Sequence, residues 1–148
     1  MSTLFPHQVA AEPEFITDKP IDIDKLLHKA HHPGAGGVVL FCGEVRDNHA
    51  GKAVKYLLYE SYVPLAEKII REIVQTAIKK WNLQYAASLH RIGRLKISAC
   101  AVAVVTAHTH RKEAYEANQY IIDRIKHEAP IWKCEYYEDG THEWGKNC

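Results

Sequence analysis

Four cationic side chains stand at places in the chain from which a compact fold can bring them together. His110 and Arg111 lie where an apolar strand should give way to a helix. Lys126 falls in the last turn of that helix, and Lys133 follows the break that Pro130 imposes. Cations of these types suit a phosphate, a carboxylate or another anionic group. The sequence therefore predicts an anion-binding site in this region.

The start of the predicted helix adds backbone groups to the cations at positions 110 and 111. Free N–H groups and the helix dipole favour an anion there, a phosphate above all. The alternative for Arg111 is a surface ion pair with Glu113 or Glu116, which would stabilise the chain by only about 0.3–0.5 kcal/mol. Both interpretations are open at the level of sequence.

The two lysines permit a chemical role as well as a binding role. Lys126 flanks the buried stripe of its helix, and desolvation lowers the pKa of a lysine amine toward values at which it acts as a base or nucleophile. The alternative is a stem packed on the core with the ammonium in water. Lys133 shares a strand face with Ile131 and Glu135. The two amines can therefore meet across one pocket.

Arg46 is a further candidate for anion binding. It ends the apolar run GVVLFCGEVR and precedes the polar segment DNHAGK, and loops at strand ends often hold binding residues. The alternative is an exposed arginine that pairs with Glu44 or Asp47.

Metal-ligating residues are poorly spaced in this sequence. His108 and His110 would share a face if the strand continued, which gives half of a metal site. A third ligand with suitable spacing is missing, and the cysteines are scattered. We therefore predict no metal, and no other cofactor is expected.

Composition describes an ordinary folded domain. The 148 residues are 47% hydrophobic and 25% charged, and 19 basic against 18 acidic side chains give a formal net charge of +1. This balance argues against a disordered chain and against nucleic-acid binding, including an RNA-binding sheet. We expect a single domain over residues 1–148, with an N-terminal arm or strand at 1–20 and a C-terminal hairpin or tail at 131–148.

The sequence also carries expectations about location. The segment MSTLFPHQVAAEPEF lacks the basic start and apolar core of a signal peptide, and no apolar run is long enough to span a membrane. The cysteines, at positions 42, 100, 134 and 148, show no paired spacing. We expect a cytoplasmic protein whose cysteines are thiols rather than two disulfides, with no membrane partner.

Helical periodicity predicts three helices, two of them long. A short helix capped by Asp22 or Asp24 runs through Ala30. A longer helix begins at Pro64, and its predicted buried stripe is Leu65, Ile69, Ile73, Ala77 and Trp81. The third helix spans about 111–128, with a buried stripe of Ala114, Ala117, Ile121 and Ile125.

Apolar and β-branched runs predict the strands and their turns. We expect strands at 37–46, 54–62, 85–92, 96–107 and from 131 onward, the first buried and the fourth central in a sheet. Turn signals fall at 47–52, a polar and mobile loop, at 93–96, a hairpin between flanking strands, and at 139–140. The fold class that follows is α+β with a mixed, largely antiparallel sheet and two main helices.

Four segments of the chain, taken in order, resemble a known family. They are GGVVLFCGEVRD, the HRIG at 90–93, the HR at 110–111 and RIKHEAPIWKCE at 124–135. Together they resemble the large, catalytic subunit family of molybdopterin synthase, over about residues 37–144. The resemblance implies an α+β fold that includes an α/β-hammerhead core.

The resemblance also implies an activity and its partners. That family transfers sulfur to cyclic pyranopterin monophosphate to form the dithiolene of molybdopterin, in molybdenum cofactor biosynthesis. The donor is the thiocarboxylated C-terminus of a small ubiquitin-like sulfur-carrier subunit. The large subunits form a homodimer within a heterotetramer, with one small subunit at each end.

Residue roles follow from the resemblance position by position. Arg46, His110 and Arg111 match residues that bind the pterin phosphate and the intermediate. Lys126 matches an essential lysine near the terminal carbonyl of the donor, and Lys133 matches a second catalytic lysine. Neighbouring substrate contacts are implied for Glu44, Val45, Cys134 and Glu135. None of the cysteines matches a family nucleophile, Cys134 included.

One competing class of protein would have the same cationic pocket. A non-catalytic module that binds a phosphometabolite, or the tail of a ubiquitin-like protein, also needs positive charge. It does not need two lysines at one reaction centre. Substitution of either lysine should therefore reduce turnover far more than affinity if the chain is an enzyme.

Overall fold

The computed structural model describes residues 15–147 of the chain. Within that range it has three α-helices and nine β-strands. In chain order the elements are β1 Ile16–Thr17, α1 Ile23–Ala30, β2 Gly37–Glu44, β3 Asn48–His49, β4 Lys52–Ser61, α2 Val63–Trp81, β5 Tyr85–Arg91, β6 Gly93–Lys96, β7 Cys100–His108, α3 Arg111–Glu128, β8 Ile131–Tyr137 and β9 His142–Lys146. The predicted arm or strand at 1–20 falls largely on residues 1–14, which lie outside the described residues; β1 follows them.

The first sheet has the strand order β1-β5-β7-β2, and its central strand is β7. Only the β1–β5 pair is parallel among its pairs. Helix α1 packs on one side of the sheet, and α2 and α3 pack on the other. Residues 101–107 of β7 are consequently all buried. The run of small and β-branched residues there fits a strand covered on both faces, as predicted.

The second sheet is antiparallel throughout and has the order β3-β4-β8-β9, with β6 also paired to β4. Strands β8 and β9 form the hairpin expected near the C-terminus, with its turn at the predicted 139–140. The two sheets together confirm the α+β class with mixed, largely antiparallel pairing.

The three helices lie where periodicity places them. Asp22 caps α1, because its side chain accepts a hydrogen bond from the Lys25 N–H at 3.1 Å. Helix α3 has the predicted bounds and the predicted buried stripe. The stripe predicted for α2 is wrong at Leu65, which is 41% exposed, since the buried face is centred on Ala66, Ile70 and Val74. Within residues 15–147, no helix is long and apolar enough to cross a membrane.

Two strand predictions are wrong, and both concern long-range pairing. Strand β2 is not buried: it is an edge strand, and its Val38 and Phe41 are 36% and 38% exposed. The predicted hairpin at 93–96 does not exist as a turn, because those residues form β6 and pair with β4 in the second sheet. Strands β5 and β7 still pair with each other, as expected.

The polar segment at 47–52 is a tight β-hairpin. Strand β3 pairs with the start of β4, and Ala50 and Gly51 form the two-residue turn with φ of 51° and 80°. Turns in which both central residues have positive φ match the twist of the flanking strands. The segment is therefore not an open loop, because Asn48 and His49 form an edge strand of the second sheet.

Candidate functional site

A small cavity lies where the end of β2, the last turn of α3 and the second sheet meet. Its volume is about 170 Å³. Three cationic and two acidic side chains line it, together with polar and apolar neighbours: Gly43, Glu44, Arg46, Asn48, Val54, Leu57, Tyr59, Ala101, Val102, Lys126, Lys133 and Glu135. The predicted meeting of Arg46, Lys126 and Lys133 thus occurs in one chain.

The turn between α3 and β8 explains why the two lysines meet. Ala129 has extended geometry before Pro130, so the helix ends there and the chain reverses into β8. The Pro130 carbonyl accepts hydrogen bonds from the Tyr62 N–H at 3.2 Å and from Ser61 Oγ at 3.1 Å. These contacts fix the reversal against β4. Lys126 and Lys133, on either side of the turn, consequently reach the same cavity.

Arg46 reaches the cavity because the end of β2 departs from regular pairing. The register between β2 and β7 shifts between Gly43 and Glu44. Val45 is then buried, with its N–H donating to the Ala99 carbonyl at 3.1 Å and its carbonyl accepting from the Ser98 N–H at 2.8 Å. This places the exposed Arg46 at the rim of the cavity and the side chain of Val45 in the core. The substrate contact implied for Val45 stays a prediction.

Glu135 is the buried acid of the site, with 9% of its side chain exposed. Its Oε2 lies 3.8 Å from Lys133 Nζ and 3.1 Å from His49 Nδ1. Burial, with a smaller contribution from the Glu135 charge, raises the pKa of Tyr59 to about 12. The Tyr59 hydroxyl is therefore protonated at neutral pH and can donate a hydrogen bond.

Lys126 lies at one end of a buried polar chain that includes the C-terminal tail. Its Nζ donates to Asn147 Oδ1 at 2.8 Å, and Asn147 Nδ2 lies 2.8 Å from His90 Nε2. His90 Nδ1 in turn lies 2.9 Å from the carbonyl oxygen of Arg91. Both His90 and Asn147 are buried, with 0% and 2% exposure. The half-buried lysine is thereby tied to two residues in the interior.

His110 and Arg111 lie at the opposite end of α3 from Lys126. Arg111 begins the helix and Lys126 is in its last turn; at about 1.5 Å per residue they are about 22 Å apart along the axis. Arg111 is exposed and packs beside Gly37 at the start of β2, where an added Cβ would lie 3.2 Å from Arg111 Cα. The expectation that all four cations share one hollow is therefore wrong within a single chain.

Cys134 is buried on the face of β8 opposite to Lys133 and Glu135. Burial raises the pKa of its thiol, which also contacts Tyr136 on that face. The thiol therefore lies on the other side of the strand from the cavity, and the substrate contact implied for Cys134 stays a prediction.

Several residues around the cavity were not identified from the sequence. Asn48 and Tyr59 line it, from β3 and β4. His49, next to Asn48, contacts the Glu135 carboxylate that lines the cavity. Asn147 had no local signal, since it is a polar residue in a short tail. His90 had one signal, its place in the HRIG segment, but no role could be assigned before the contact with Asn147 was known.

A larger and more open groove, of about 810 Å³, lies elsewhere on the surface. Basic residues of β4, β5 and β6 line it, including Lys55, Arg91, Arg94 and Lys96. None of the predicted site residues is in its lining. We therefore place the candidate site in the smaller cavity, where residues of β2, β3, β4, β7, α3 and β8 converge.

Metal-ligating side chains do not cluster in groups of three or more anywhere in residues 15–147. His108 and His110 are near each other, with ring centroids 6.0 Å apart. His108 instead accepts a hydrogen bond at Nδ1 from the His110 N–H at 2.9 Å. This contact gives His108 a structural role at the start of α3.

The fold and the cavity define an α+β protein with a compact cationic pocket of the kind that holds anionic reactants. Residues 16–128 match the family model described as MoaE protein. The chain belongs to the MoaE family.

Similar proteins agree with this assignment. The chain is 42% identical over 125 residues to the molybdopterin synthase catalytic subunit of Halalkalibacterium halodurans, covering 84% of this chain and 80% of that protein. It is 43% identical over 129 residues to that of Staphylococcus carnosus, covering 87% and 85%. The crystal structure of molybdopterin synthase from Staphylococcus aureus superposes with a TM-score of 0.85 at 38% identity, covering 92% of this chain and 98% of that chain. The resemblance found in the sequence is thus confirmed.

Proposed function

We propose that this chain is the catalytic subunit of a molybdopterin synthase. It transfers sulfur from the C-terminal thiocarboxylate of a small ubiquitin-like subunit to cyclic pyranopterin monophosphate. The product is the dithiolene of molybdopterin. The observation that carries the proposal is the cavity of a MoaE-family chain in which Arg46, Lys126 and Lys133 meet.

The charges in the cavity suit both reactants. A thiocarboxylate and a phosphate are anions, and fixed cations in a partly buried site bind them more strongly than cations in water do. When the thiocarboxylate sulfur forms a bond to the pterin side chain, negative charge develops on oxygen atoms. Preorganised positive groups that meet this charge contribute several kcal/mol to catalysis.

We assign Lys126 the position nearest to the carbonyl of the donor, and Lys133 a supporting position. Lys126 holds the donor tail and exchanges protons during addition and elimination. Water then hydrolyses the bond between the donor carbonyl and the transferred sulfur, so that the tail leaves as a carboxylate and the sulfur stays on the pterin. Each sulfur replaces an oxygen on the pterin side chain: at one carbon the bond to the cyclic phosphate oxygen breaks and the phosphate stays attached as a monoester, and at the other carbon the oxygen leaves as water. Two such transfers supply the two sulfurs of the dithiolene.

The size of the cavity supports a shared site. A volume of about 170 Å³ is below the roughly 300–1,000 Å³ of pockets that enclose a whole small molecule. It suffices for the end of a peptide tail, so further walls must enclose the pterin. We propose that a second copy of the chain, as well as the small subunit, provides them.

His110 and Arg111 fit this proposal as residues that act from the second copy. They lie about 22 Å along α3 from Lys126, beside the exposed edge strand β2. An edge strand that exposes Val38 and Phe41 favours association with another chain. A homodimer within a heterotetramer would bring these cations, as phosphate ligands, to the cavity of the neighbouring chain.

A cytoplasmic location completes the proposal. Cys42 and Cys100 lie close enough for their thiols to hydrogen bond. Burial raises the pKa of both. Adjacent reduced cysteines fit a reducing compartment.

The test is a direct assay of sulfur transfer. The purified chain is incubated with cyclic pyranopterin monophosphate and a thiocarboxylated small subunit, and the pterin product is analysed by mass. We expect a product with two added sulfurs. The same small subunit with an ordinary carboxylate terminus is the control and should yield no product. Binding of both partners without any added sulfur would favour the non-catalytic binding module instead.

A further inference from the structure

Hydrogen bonds connect Lys126 to Asn147, Asn147 to His90, and His90 to the Arg91 carbonyl. The chemistry of the groups fixes the direction of each bond. An ammonium only donates, so the Asn147 atom that meets Lys126 is the carbonyl oxygen. The Asn147 amide nitrogen is left to donate to His90 Nε2. The Arg91 carbonyl only accepts, so His90 carries its proton on Nδ1. One neutral tautomer of His90 satisfies both of its contacts.

The surroundings of His90 maintain that neutral form. Burial and, to a smaller extent, the charge of Lys126 lower its pKa to about 4, although the bond to the Arg91 carbonyl opposes the shift. The Tyr59 ring packs edge-on against the imidazole, with centroids 5.1 Å apart. At neutral pH, Nε2 is consequently a permanent acceptor that holds the Asn147 amide in one orientation.

The C-terminal tail is anchored where Asn147 makes these contacts. Strand β9 pairs with β8 along its length, and the Asn147 N–H then donates to the Ile131 carbonyl at 3.2 Å. The side chain of Asn147 is buried. Contacts with Ile131 and His90 therefore fix the backbone and the side chain of Asn147 independently of its contact with Lys126.

We propose that Asn147, oriented by His90, is a positioning residue that holds the Lys126 amine at the cavity. A lysine amine lies at the end of a flexible stem and samples many positions unless an acceptor restrains it. Catalytic groups need supporting residues whose own positions are locked. Asn147 meets this need, because its buried amide oxygen accepts a hydrogen bond from Lys126 Nζ at 2.8 Å. This inference rests on the proposed function.

The first test separates positioning from binding. We expect Asn147→Ala to lower kcat for dithiolene formation by about 10- to 100-fold, since small displacements of catalytic groups have effects of this size. KM for the pterin should change by less than about twofold. Lys146→Ala is the matched control. Lys146 is exposed, and its Nζ donates a hydrogen bond to the His127 carbonyl at 3.0 Å. The kcat of this variant should equal that of the unmodified chain.

Variants of His90 test the second contact. His90→Gln keeps an acceptor for the Asn147 amide and should retain most of kcat. His90→Leu removes the acceptor and should lower kcat about as much as Asn147→Ala does. The double variant Asn147→Ala/His90→Leu should show no further loss, because both changes break one chain of contacts. If the losses of the two single variants add up in the double variant, the proposal is overturned. It is also overturned if folded Asn147→Ala has an unchanged or increased kcat, or if only its KM is raised.

A spectroscopic test works without any activity. Lysines are labelled by reductive ¹³C-methylation, which leaves one N–H on each amine, and the Lys126 signal is assigned from its loss in Lys126→Arg. We expect the chemical shift of the Lys126 signal to change in Asn147→Ala and to stay the same in Lys146→Ala. An unmoved signal in a chain with a normal unfolding midpoint overturns the positioning contact. If Asn147→Ala does not fold, Asn147→Ser, whose side chain is too short to reach, is read in the same way. If the Lys126 signal shifts as expected but the unmodified chain makes no dithiolene, the proposed function is refuted and the contact between Asn147 and Lys126 is not.

Discussion

Lys133 and Glu135 face the cavity from the same side of β8, and Lys133 Nζ lies 3.8 Å from Glu135 Oε2. The carboxylate also contacts His49 at 3.1 Å. Lys126, on the facing helix, donates a hydrogen bond to the amide oxygen of Asn147. Within one cavity, Glu135 is thus a partner of Lys133 and Asn147 is a partner of Lys126.

This difference predicts unequal effects of the two lysine substitutions. Lys126→Ala should lower the single-turnover rate of dithiolene formation at least about 100-fold, the lower range for loss of a proton-transferring group. Lys133→Ala should lower it about tenfold, since Lys133 is already partly compensated by Glu135. Product carrying two sulfurs is measured by mass at a saturating concentration of the small subunit. Lys112→Ala, an exposed lysine on the same helix, is the control, and a Lys126→Ala rate within twofold of normal would contradict the assignment.

The sequence predicted the local geometry of the lysines well. The apolar spacing of α3 and the stop at Pro130 set where the helix ends. The period-2 pattern of β8 places Lys133 and Glu135 on one face. Both features depend on neighbours in the chain, which periodicity and proline chemistry describe directly.

Features that depend on distant pairing could not be predicted. The pairing of β6 with β4 and the edge position of β2 depend on competition between strands far apart in sequence. The contact of Asn147 with His90 joins positions 57 residues apart. We predicted that Arg111 lies near Lys126 because both residues belong to one short segment of the sequence. They lie at opposite ends of α3, and the length of the helix separates them.

Asn118 should be important for the stability of the sheet beneath α3. Its buried amide donates to the carbonyl oxygens of Val39 at 3.1 Å and Val104 at 3.0 Å, which lie on β2 and β7. Asn118→Ala should lower the free energy of unfolding by about 2 kcal/mol, because one buried and one partly buried acceptor lose their donor. Urea denaturation of this variant and of the exposed neighbour Gln119→Ala measures the effect. Equal stability of the two variants would show that the amide contacts do not stabilise the fold.

The lowered pKa of the buried His90 predicts that the folded protein loses stability in acid. Its folded pKa of about 4 lies below the ordinary value of 6.5, so between those values the unfolded chain binds more protons. The stabilising contribution is therefore complete above about pH 6.5 and is lost as the pH falls toward 4. A shift of this size corresponds to roughly 3 kcal/mol.

Denaturation at pH 7.5 and pH 4.5 tests this contribution. His90→Gln removes the titrating group, so its free energy of unfolding should fall less on acidification than that of the unmodified chain. His127→Gln, at an exposed position on α3, is the control and should behave like the unmodified chain. Parallel losses in all three proteins would show that burial of His90 does not determine the acid sensitivity.

The placement of Arg111 at the far end of α3 leads to a complementation experiment. If each site combines Lys126 of one chain with Arg111 of a second copy, Lys126→Ala and Arg111→Ala chains should each be nearly inactive alone. In a mixed dimer, one of the two sites would then contain both intact residues. Random pairing at equal amounts should restore roughly a quarter of normal activity. The variants are co-expressed, and dithiolene formation is compared with that of each variant alone. If Lys126 and Arg111 had to come from the same chain, no mixed site would be complete, and co-expression would restore nothing.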